Sequence, residues 1–461
     1  MTAPAGTEPL VLDWLAAQKD AMLDLVRTLV DIDSGSYDKG GVDAVGARLR
    51  AFLAAHDIAF SVIANDRFGD AIRAQVNNVA GKASNAPVLL LGHRDTVFPA
   101  GEAGRRPFRV VDGCGSGPGC CDMKAGLVVN AFVLAAFARF AAAPSPITAL
   151  FTADEEIGSP SSKALIKETA RPARAVFNSE PGRPGGGVVT GRKGGKFMRI
   201  NVVGKAAHSG NNLADGISAI EELARKIVKL HALTDLPNGI SCNVGTIAGG
   251  QTVNTVAPHA SAELDLRFIY PEEGARALAA IEAIVAETNV PGTRAGLEIT
   301  GEFEPLVASD ASRRLFEHYA ACGRSLGQTV ESAFVGGCAD SGFAASVGAP
   351  PSVPSVRSAA ARIRRRNISK WTQSSRAPRR WRWRSCGWMR CDELCRRSIF
   401  PTPHAPASCL PDFLPFLRYH IEKRCDFQVL QLILGGSSPG ARQMSHWTRR
   451  VNRHITHIGE I

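Results

Sequence analysis

The 461-residue sequence has no uninterrupted apolar run of the roughly 20 residues that a membrane-spanning helix needs. Its start, MTAPAGTEPLVLDW, has no basic stretch leading into an apolar segment, so no secretory leader is expected and the cytoplasm is the expected location. The 11 cysteines are odd in number and irregularly spaced, which argues against a disulfide framework; in a reducing compartment they are free thiols. Acidic residues are scarce in one region only. Residues 351–461 carry 6 Asp+Glu against 21 Lys+Arg, a balance of +15, whereas residues 1–350 carry 37 against 33, a balance of −4. The net charge of +11 therefore comes entirely from the tail.

What is present suits a globular chain of two or three domains, with 45% hydrophobic residues. Residues 9–31 show helical periodicity and end at the turn-rich SGSYDKGG. PVLLLGHRDTV, PITALFTADEE and ARAVFNSEP each read as a buried strand with polar residues at its C-terminal end. Between the first two lie a glycine-rich loop, GCGSGPGCCDMKAG, and a long apolar helix. Strand and helix in alternation, with polar strand ends, predict an α/β fold that binds its ligand along that edge. From about Gly191 the pattern changes to half-buried strands, KFMRINVVGK and NVGTIAGGQTVNTVAPHASAELDLRFIY, with two amphipathic helices, closing at LEITGEF. That predicts an inserted α+β domain. The expected divisions are 9–190 and 305–350 for the α/β domain, 191–304 for the insert and 351–461 for the tail.

Four segments at or near strand ends carry His93-Arg94-Asp95, Asp122, Asp154-Glu155-Glu156 and Glu180. One such group alone reads as a solvated acidic rim. Four in this order read as a metal site, because zinc accepts imidazole nitrogen and carboxylate oxygen. A bridging carboxylate can hold two metals about 3.5–4 Å apart. Adjacent Glu155 and Glu156 can divide the work, one as ligand and one as general base. Asp95, two residues from His93 on the same face of an extended segment, can fix the imidazole tautomer. Cys114, Cys120 and Cys121 have spacing unsuited to a thiolate site, and His56, His231, His259 and His318 read as surface or packing residues.

In order and spacing, GHRDTVFPAG, GPGCCDMKAG, TADEEIGS, NSEPG, GKAAHSG and VNTVAP resemble the two-zinc aminoacylase/carboxypeptidase family, over residues 10–350. That family includes glutamate carboxypeptidase, acetylornithine deacetylase and succinyl-diaminopimelate desuccinylase, and the motifs look most similar to the bacterial glutamate carboxypeptidases. The resemblance implies a zinc-hydrolase catalytic domain whose mixed sheet is flanked by helices, with the insert as a dimerisation (lid) domain. It implies two divalent ions, zinc or alternatively cobalt or manganese. His93 and Glu180 would hold one, Glu156 the other, and Asp122 both. Glu155 would be the general base and Asp95 the orienting acid. His208 would reach a partner's active site across a homodimer, and Asn254 and Arg267 would grip a substrate carboxylate. The implied activity is cleavage of an amide beside a free carboxylate, in N-acyl amino acids or small peptides, with C-terminal glutamate as one candidate. Cys120, Cys121 and Ala125 depart from the family pattern.

After Pro350 the resemblance stops. The family continues with a short apolar loop, an AHS.EEY-like stretch whose histidine completes the second metal shell, and a last helix. None of this stands in SVGAPPSVPSVRSAAARIRRR or beyond it, and His404 lacks the flanking residues. Shifted by one base, however, the codons of PPSVPSVRSAAARIRRRNISKWTQSSRAP permit TLGALGPVGGGAHSAEEYIEVDSIVPRA. Trp371-Thr372 forces an Asp codon in that frame, and Cys391-Asp392 permits a stop. The expectation is an out-of-frame, disordered tail and a chain impaired as a catalyst. The competing reading is a basic tail that binds nucleic acid through interleaved Arg and Trp, as in RAPRRWRWRS, but no binding-fold motif accompanies it.

Overall fold

The computed structural model describes residues 7–352 apart from 78–83, 112–113, 142, 144 and 184–185. The out-of-frame and nucleic-acid readings of the tail, and His404, fall outside the described residues beyond Ser352. The N-terminal periodic stretch forms two helices rather than one, α1 (Thr7–Ala17) and α2 (Lys19–Val30), because the chain leaves helical geometry at Gln18. Helix α3 (Lys39–Ala55) follows, capped by the Asp38 carboxylate on the Gly41 amide. The remaining elements of the first part are β1 (Ala59–Ile63), β2 (Ala71–Val76), β3 (Val88–His93), α4 (Glu102–Arg105), β4 (Arg109–Val111), β5 (Cys114–Ser116), α5 (Ala125–Phe140), β6 (Ile147–Thr152), α6 (Lys163–Ala170), β7 (Ala175–Asn178) and β8 (Val188–Arg192). The insert holds β9 (Gly194–Val203), α7 (Ala219–His231), β10 (Ser241–Gly249), β11 (His259–Phe268), α8 (Pro271–Ala286) and β12 (Arg294–Phe303). The chain ends with α9 (Asp310–Ser325), β13 (Ser332–Val335), α10 (Ser341–Ser346) and the two-residue β14 (Pro351–Ser352).

The main sheet has the order β1-β2-β6-β3-β7-β14. It is mixed: β3 runs parallel to β6 and β7, β14 runs parallel to β7, and β2 is antiparallel to β6. Strands β3 and β6 are buried at every residue, as central strands covered on both faces must be. Alternation divides their side chains. Leu90, Ala149 and Phe151 pack toward α5 and the N-terminal helices, while Leu89, Leu91 and Leu150 join Ile166 of α6 and Phe343 of α10. The segment Cys120–Phe140 is 21 residues long with mean hydropathy 1.6, apolar enough by length and composition to cross a bilayer. Here it is mostly buried and serves as a core helix: the apolar face it would offer to lipid is taken by the sheet and by α1–α3. Its first turn approaches the strand ends closely, and a Cβ on Gly126 would lie 2.0 Å from the Ser179 carbonyl oxygen.

The insert is a separate four-stranded sheet, β10-β11-β9-β12, antiparallel throughout. Strand β11 alternates between buried and half-buried residues, with Ala260, Ala262, Leu264, Leu266 and Phe268 facing α7 and α8. A buried ion pair staples the two helices. Lys226 Nζ lies 2.7 Å from Glu222 Oε1, and also donates to the Ile284 and Glu287 carbonyls. Glu222 in turn accepts from the Asn289 and Val290 amides at 2.9 and 2.6 Å.

Removing one partner of such a pair leaves a buried charge exposed to its full desolvation cost. Glu222→Ala is expected to destabilise the protein by about 3 kcal/mol, and the double variant Glu222→Leu/Lys226→Met by clearly less. Urea unfolding checks this, and equal losses for the two variants would refute it.

Candidate metal centre

The centre forms where the central strands end. His93 is the last residue of β3, in register with Thr152, the last of β6. The chain turns there, so Asp95 and the 155–156 segment emerge side by side. Asp95 is fully buried and satisfies three donors: Ser36 Oγ at 2.7 Å and the amides of Glu155 and Glu156, both at 3.1 Å. It also meets His93, whose Nδ1 lies 3.0 Å from the Asp95 carbonyl oxygen and 3.3 Å from its carboxylate. A proton on Nδ1 answers both acceptors and leaves Nε2 facing the open side.

Three carboxylates stand around that nitrogen. Asp122 Oδ1 is 3.2 Å away, Glu180 Oε1 3.6 Å and Glu155 Oε2 3.9 Å. His93, Asp122 and Glu180 each offer a ligand atom within 4.8 Å of the others'. Asp122 comes from the irregular turn that starts the long core segment, and its side chain is 51% exposed, whereas His93 and Glu180 are buried. Glu156 is half-buried beside them. Asp154 does not join the centre; its carboxylate turns away to the Ser161 amide and the Ser161 and Ser162 hydroxyls.

Burial and mutual repulsion dominate the electrostatics. Burial, then the charges of Glu180, Asp340 and Glu156, push the Glu155 carboxyl well above the usual range. Burial and Asp122 do the same to Glu156. Burial and Asp122 bring Glu180 up to about 7. For His93 burial works against the charged form, but Glu155, Asp122 and Asp95 outweigh it and hold the imidazole well above its ordinary value. Asp95 moves the other way: burial opposes its charge, and the bonds from His93, Ser36 and Glu156 overcome that. Glu180 Oε1 is buried with no hydrogen-bond partner among the described residues. An orphaned oxygen, an imidazole nitrogen on the open side and crowded carboxylates are a donor set that fits a divalent cation.

The other expected site residues lie in the insert. His208 is exposed, and its Nδ1 accepts from the Gly210 and Asn211 amides at 3.2 Å each. Asn254 is exposed beside it, its carbonyl accepting from the Ser209 amide at 3.0 Å. Arg267 is half-buried on β11, with Nε 2.7 Å from Asp265 Oδ1 and Nη1 2.7 Å from Cys338 Sγ. Among the described residues no hydrogen bond or ion pair joins these three to the His93 cluster. Cys120 is buried and its thiol pushed up to about 11 by that burial, and Cys114, Cys120 and Cys121 take no part in the metal-ligand group. His56 stacks on Phe52 at 4.1 Å between ring centres, a packing role.

Sequence reading missed two residues. Asp340, buried before α10, accepts from Ser159 Oγ and from Thr152 Oγ1 at 3.3 Å, and burial pushes its carboxyl up to about 7. Arg192, buried at the end of β8, stands 4.0 Å from Glu180 Oε2. An acid inside the small-residue run GGCADSGF was the available signal for the first; nothing in the local pattern marked the second.

A cation entering this centre must displace the proton that Glu180 keeps up to about pH 7 and the one His93 keeps above its usual range. Metal affinity is therefore expected to fall as pH drops through 7, with proton release on binding. Titration calorimetry in two buffers of different ionisation heat, at roughly pH 6 and 8, checks this; an affinity equal at both, with no proton release, would count against it.

Comparison with known proteins follows the same lines. The family described as "Peptidase dimerisation domain" matches residues 190–293. Carboxypeptidase G2 of Pseudomonas sp. (strain RS-16) is 28% identical over 342 residues, covering 72% of this chain and 80% of that protein. A peptidase M20 domain-containing protein of Schizosaccharomyces pombe is 29% identical over 267 residues, covering 56% of this chain and 63% of its own length, so the match spans less than two thirds of that relative. Among solved structures, an M20 family metallo-carboxypeptidase of Sulfolobus solfataricus superimposes with a TM-score of 0.59 at 16% identity, covering 73% of this chain and 91% of that one. A dipeptidase of Saccharomyces cerevisiae does so with a TM-score of 0.59 at 14% identity, covering 77% and 92%. These structures share the fold; the sequence match to carboxypeptidase G2 and the dimerisation-domain match over residues 190–293 support the M20 metallopeptidase family for this chain.

Proposed function

We propose that this chain hydrolyses an amide bond next to a free carboxylate, in N-acyl amino acids or small peptides, with acyl-glutamates as the first substrates to test. The observation that carries this reading is the Asp95 clamp: one buried carboxylate fixes both the imidazole of His93 and the backbone from which Glu155 and Glu156 project. His93, Asp122 and Glu180 would hold one divalent ion, and Asp122 and Glu156 would reach a second, with zinc ahead of cobalt and manganese. The chemistry such ions supply is polarisation of the scissile carbonyl and a lowered pKa for a water. Glu155 takes the proton from the attacking water and returns it to the departing nitrogen, so the C–N bond breaks to a carboxylic acid and an amine. Burial and the neighbouring carboxylates raise its pKa above the usual carboxyl range, the direction that makes a carboxylate a stronger base. Arg267 and Asn254 orient the substrate carboxylate, for which a guanidinium offers a bidentate fork. The dimerisation domain suggests a homodimer; in it, the exposed His208 would serve the partner's centre by donating to the carbonyl oxygen.

Glu155→Gln keeps the shape of the side chain and removes the base. It is expected to lower kcat on N-acyl-glutamates by about 10²–10⁴-fold while zinc content stays at the parent value. An unchanged kcat would refute the assignment.

A second reading concerns the exact chain. Charge balance and family resemblance both break at Pro350–Pro351, within two residues of the last described strand, β14. We propose that a single-base deletion near codon 350 puts residues 351–461 out of frame and removes a metal-ligating histidine. Resequencing the gene tests the first half: no one-base correction that opens a frame ending near codon 391 would mean the idea is wrong. For the second half, the frame-restored chain is expected to bind more zinc and turn over faster than the 461-residue chain. Equal zinc content and equal rate would show that the histidine is dispensable.

A further inference from the structure

Arg192 stands where the chain leaves the catalytic part for the insert. Its amide donates to the Leu306 carbonyl at 3.1 Å and its carbonyl accepts from the Leu306 amide at 3.0 Å. Leu306 lies just past β12, so outgoing and returning chains are paired at this residue. The side chain is 7% exposed and runs inward. Nη1 donates to the carbonyls of Cys338 and Gly337, at 3.0 and 3.4 Å. Nη2 stands 4.0 Å from Glu180 Oε2, the oxygen on the far side of the carboxylate whose Oε1 faces His93. Cys338 is also the residue whose thiol meets Arg267 Nη1 at 2.7 Å, across from the insert. Gly195 leaves room for that meeting: a Cβ there would lie 2.9 Å from the Cys338 sulfur and 3.3 Å from Arg267 Cδ.

We propose that Arg192 is a positioning residue serving two sites at once: it orients Glu180 for the metal, and it holds the 337–338 turn against Arg267, where the substrate carboxylate docks. The inference rests on the proposed function. A planar guanidinium can grip two carbonyls with one nitrogen and face a carboxylate with the other; a lysine ammonium supplies the charge without the fork. Glu180 is buried, and the guanidinium behind it faces Oε2 while Oε1 is turned to His93, so the two groups fix the direction of the carboxylate. The grip therefore sits at the root of the insert, where the outgoing and returning chains pair.

Full-length Arg192→Gln and Arg192→Lys are compared with the parent by zinc competition against a chromophoric chelator, and by kcat and KM on an N-acyl-glutamate, with circular dichroism and melting as the check on folding. Arg192→Gln is expected to weaken zinc binding by about 10–100-fold, the size of effect seen when a ligand's supporting partner is lost. Arg192→Lys should recover most of the zinc affinity yet keep a raised KM, because the charge returns and the fork does not. That split separates positioning from a merely structural role, and Arg192→Lys, which keeps the buried charge, decides the matter if Arg192→Gln does not fold. A folded variant with parental zinc affinity and KM overturns the inference. A parent chain that takes up no zinc overturns the proposed function and this inference with it. If neither the parent nor the frame-restored chain cleaves, the proposed activity and the KM half of the inference are overturned, and the zinc half stands or falls on the chelator data.

Discussion

Asp95 is the constraint on which the centre depends. It is a fully buried carboxylate, and such a group stays charged only when its lone pairs are met. Ser36 comes from the loop before α3, His93 from the end of β3, and the two amides from the turn after β6, so the bonds that satisfy Asp95 also fix these segments relative to one another. Loss of that carboxylate would release the placement of Glu155 and Glu156 and leave the Asp95 carbonyl alone to hold His93 Nδ1. The main sheet supplies the rest: central strands buried on both faces end at a common edge, and polar groups that cannot lie in the core gather there.

Around Asp95 the centre is short of positive charge. Asp122, Glu155, Glu156 and Glu180 crowd one imidazole, and the three glutamates respond by holding protons to higher pH than usual. Such a cluster is costly in an apolar surround without cations, which ties metal binding to folding and to pH through the same groups. Arg192 is the protein's own cation at the edge of the cluster, and Asp340 lies on the other side of Thr152, held by hydroxyls. The insert reaches this region through Arg267 and Cys338, so its attachment and the centre's electrostatics share residues.

Much of this is legible in the sequence. Strands β3, β6 and β7 are short runs of apolar residues ending in acids, and that pattern needs no partner to be read. The half-buried alternation of β9 and β11 likewise announces a sheet with one covered face. The break at Gln18 was not legible, since apolar periodicity continues across it and only the backbone there departs from a helix. Nor was the role of Asp154, adjacent to two site acids yet turned to Ser161 and Ser162. Neighbours in sequence at a strand end can point opposite ways, and the turn decides which.

The sequence by itself determined the residue types at the edge of the sheet, the change of pattern at the insert and the change of composition after Pro350, because hydrophobic periodicity and charge are local properties. Tertiary structure alone decided which acids meet. It brought Glu180 to His93 from 87 positions away, turned Asp154 aside, put Asp340 behind Thr152 and aimed Arg192 at Glu180. These are contacts between segments whose separation along the chain carries no information about distance in space, and only the packing of β3, β6, β7 and β8 sets them.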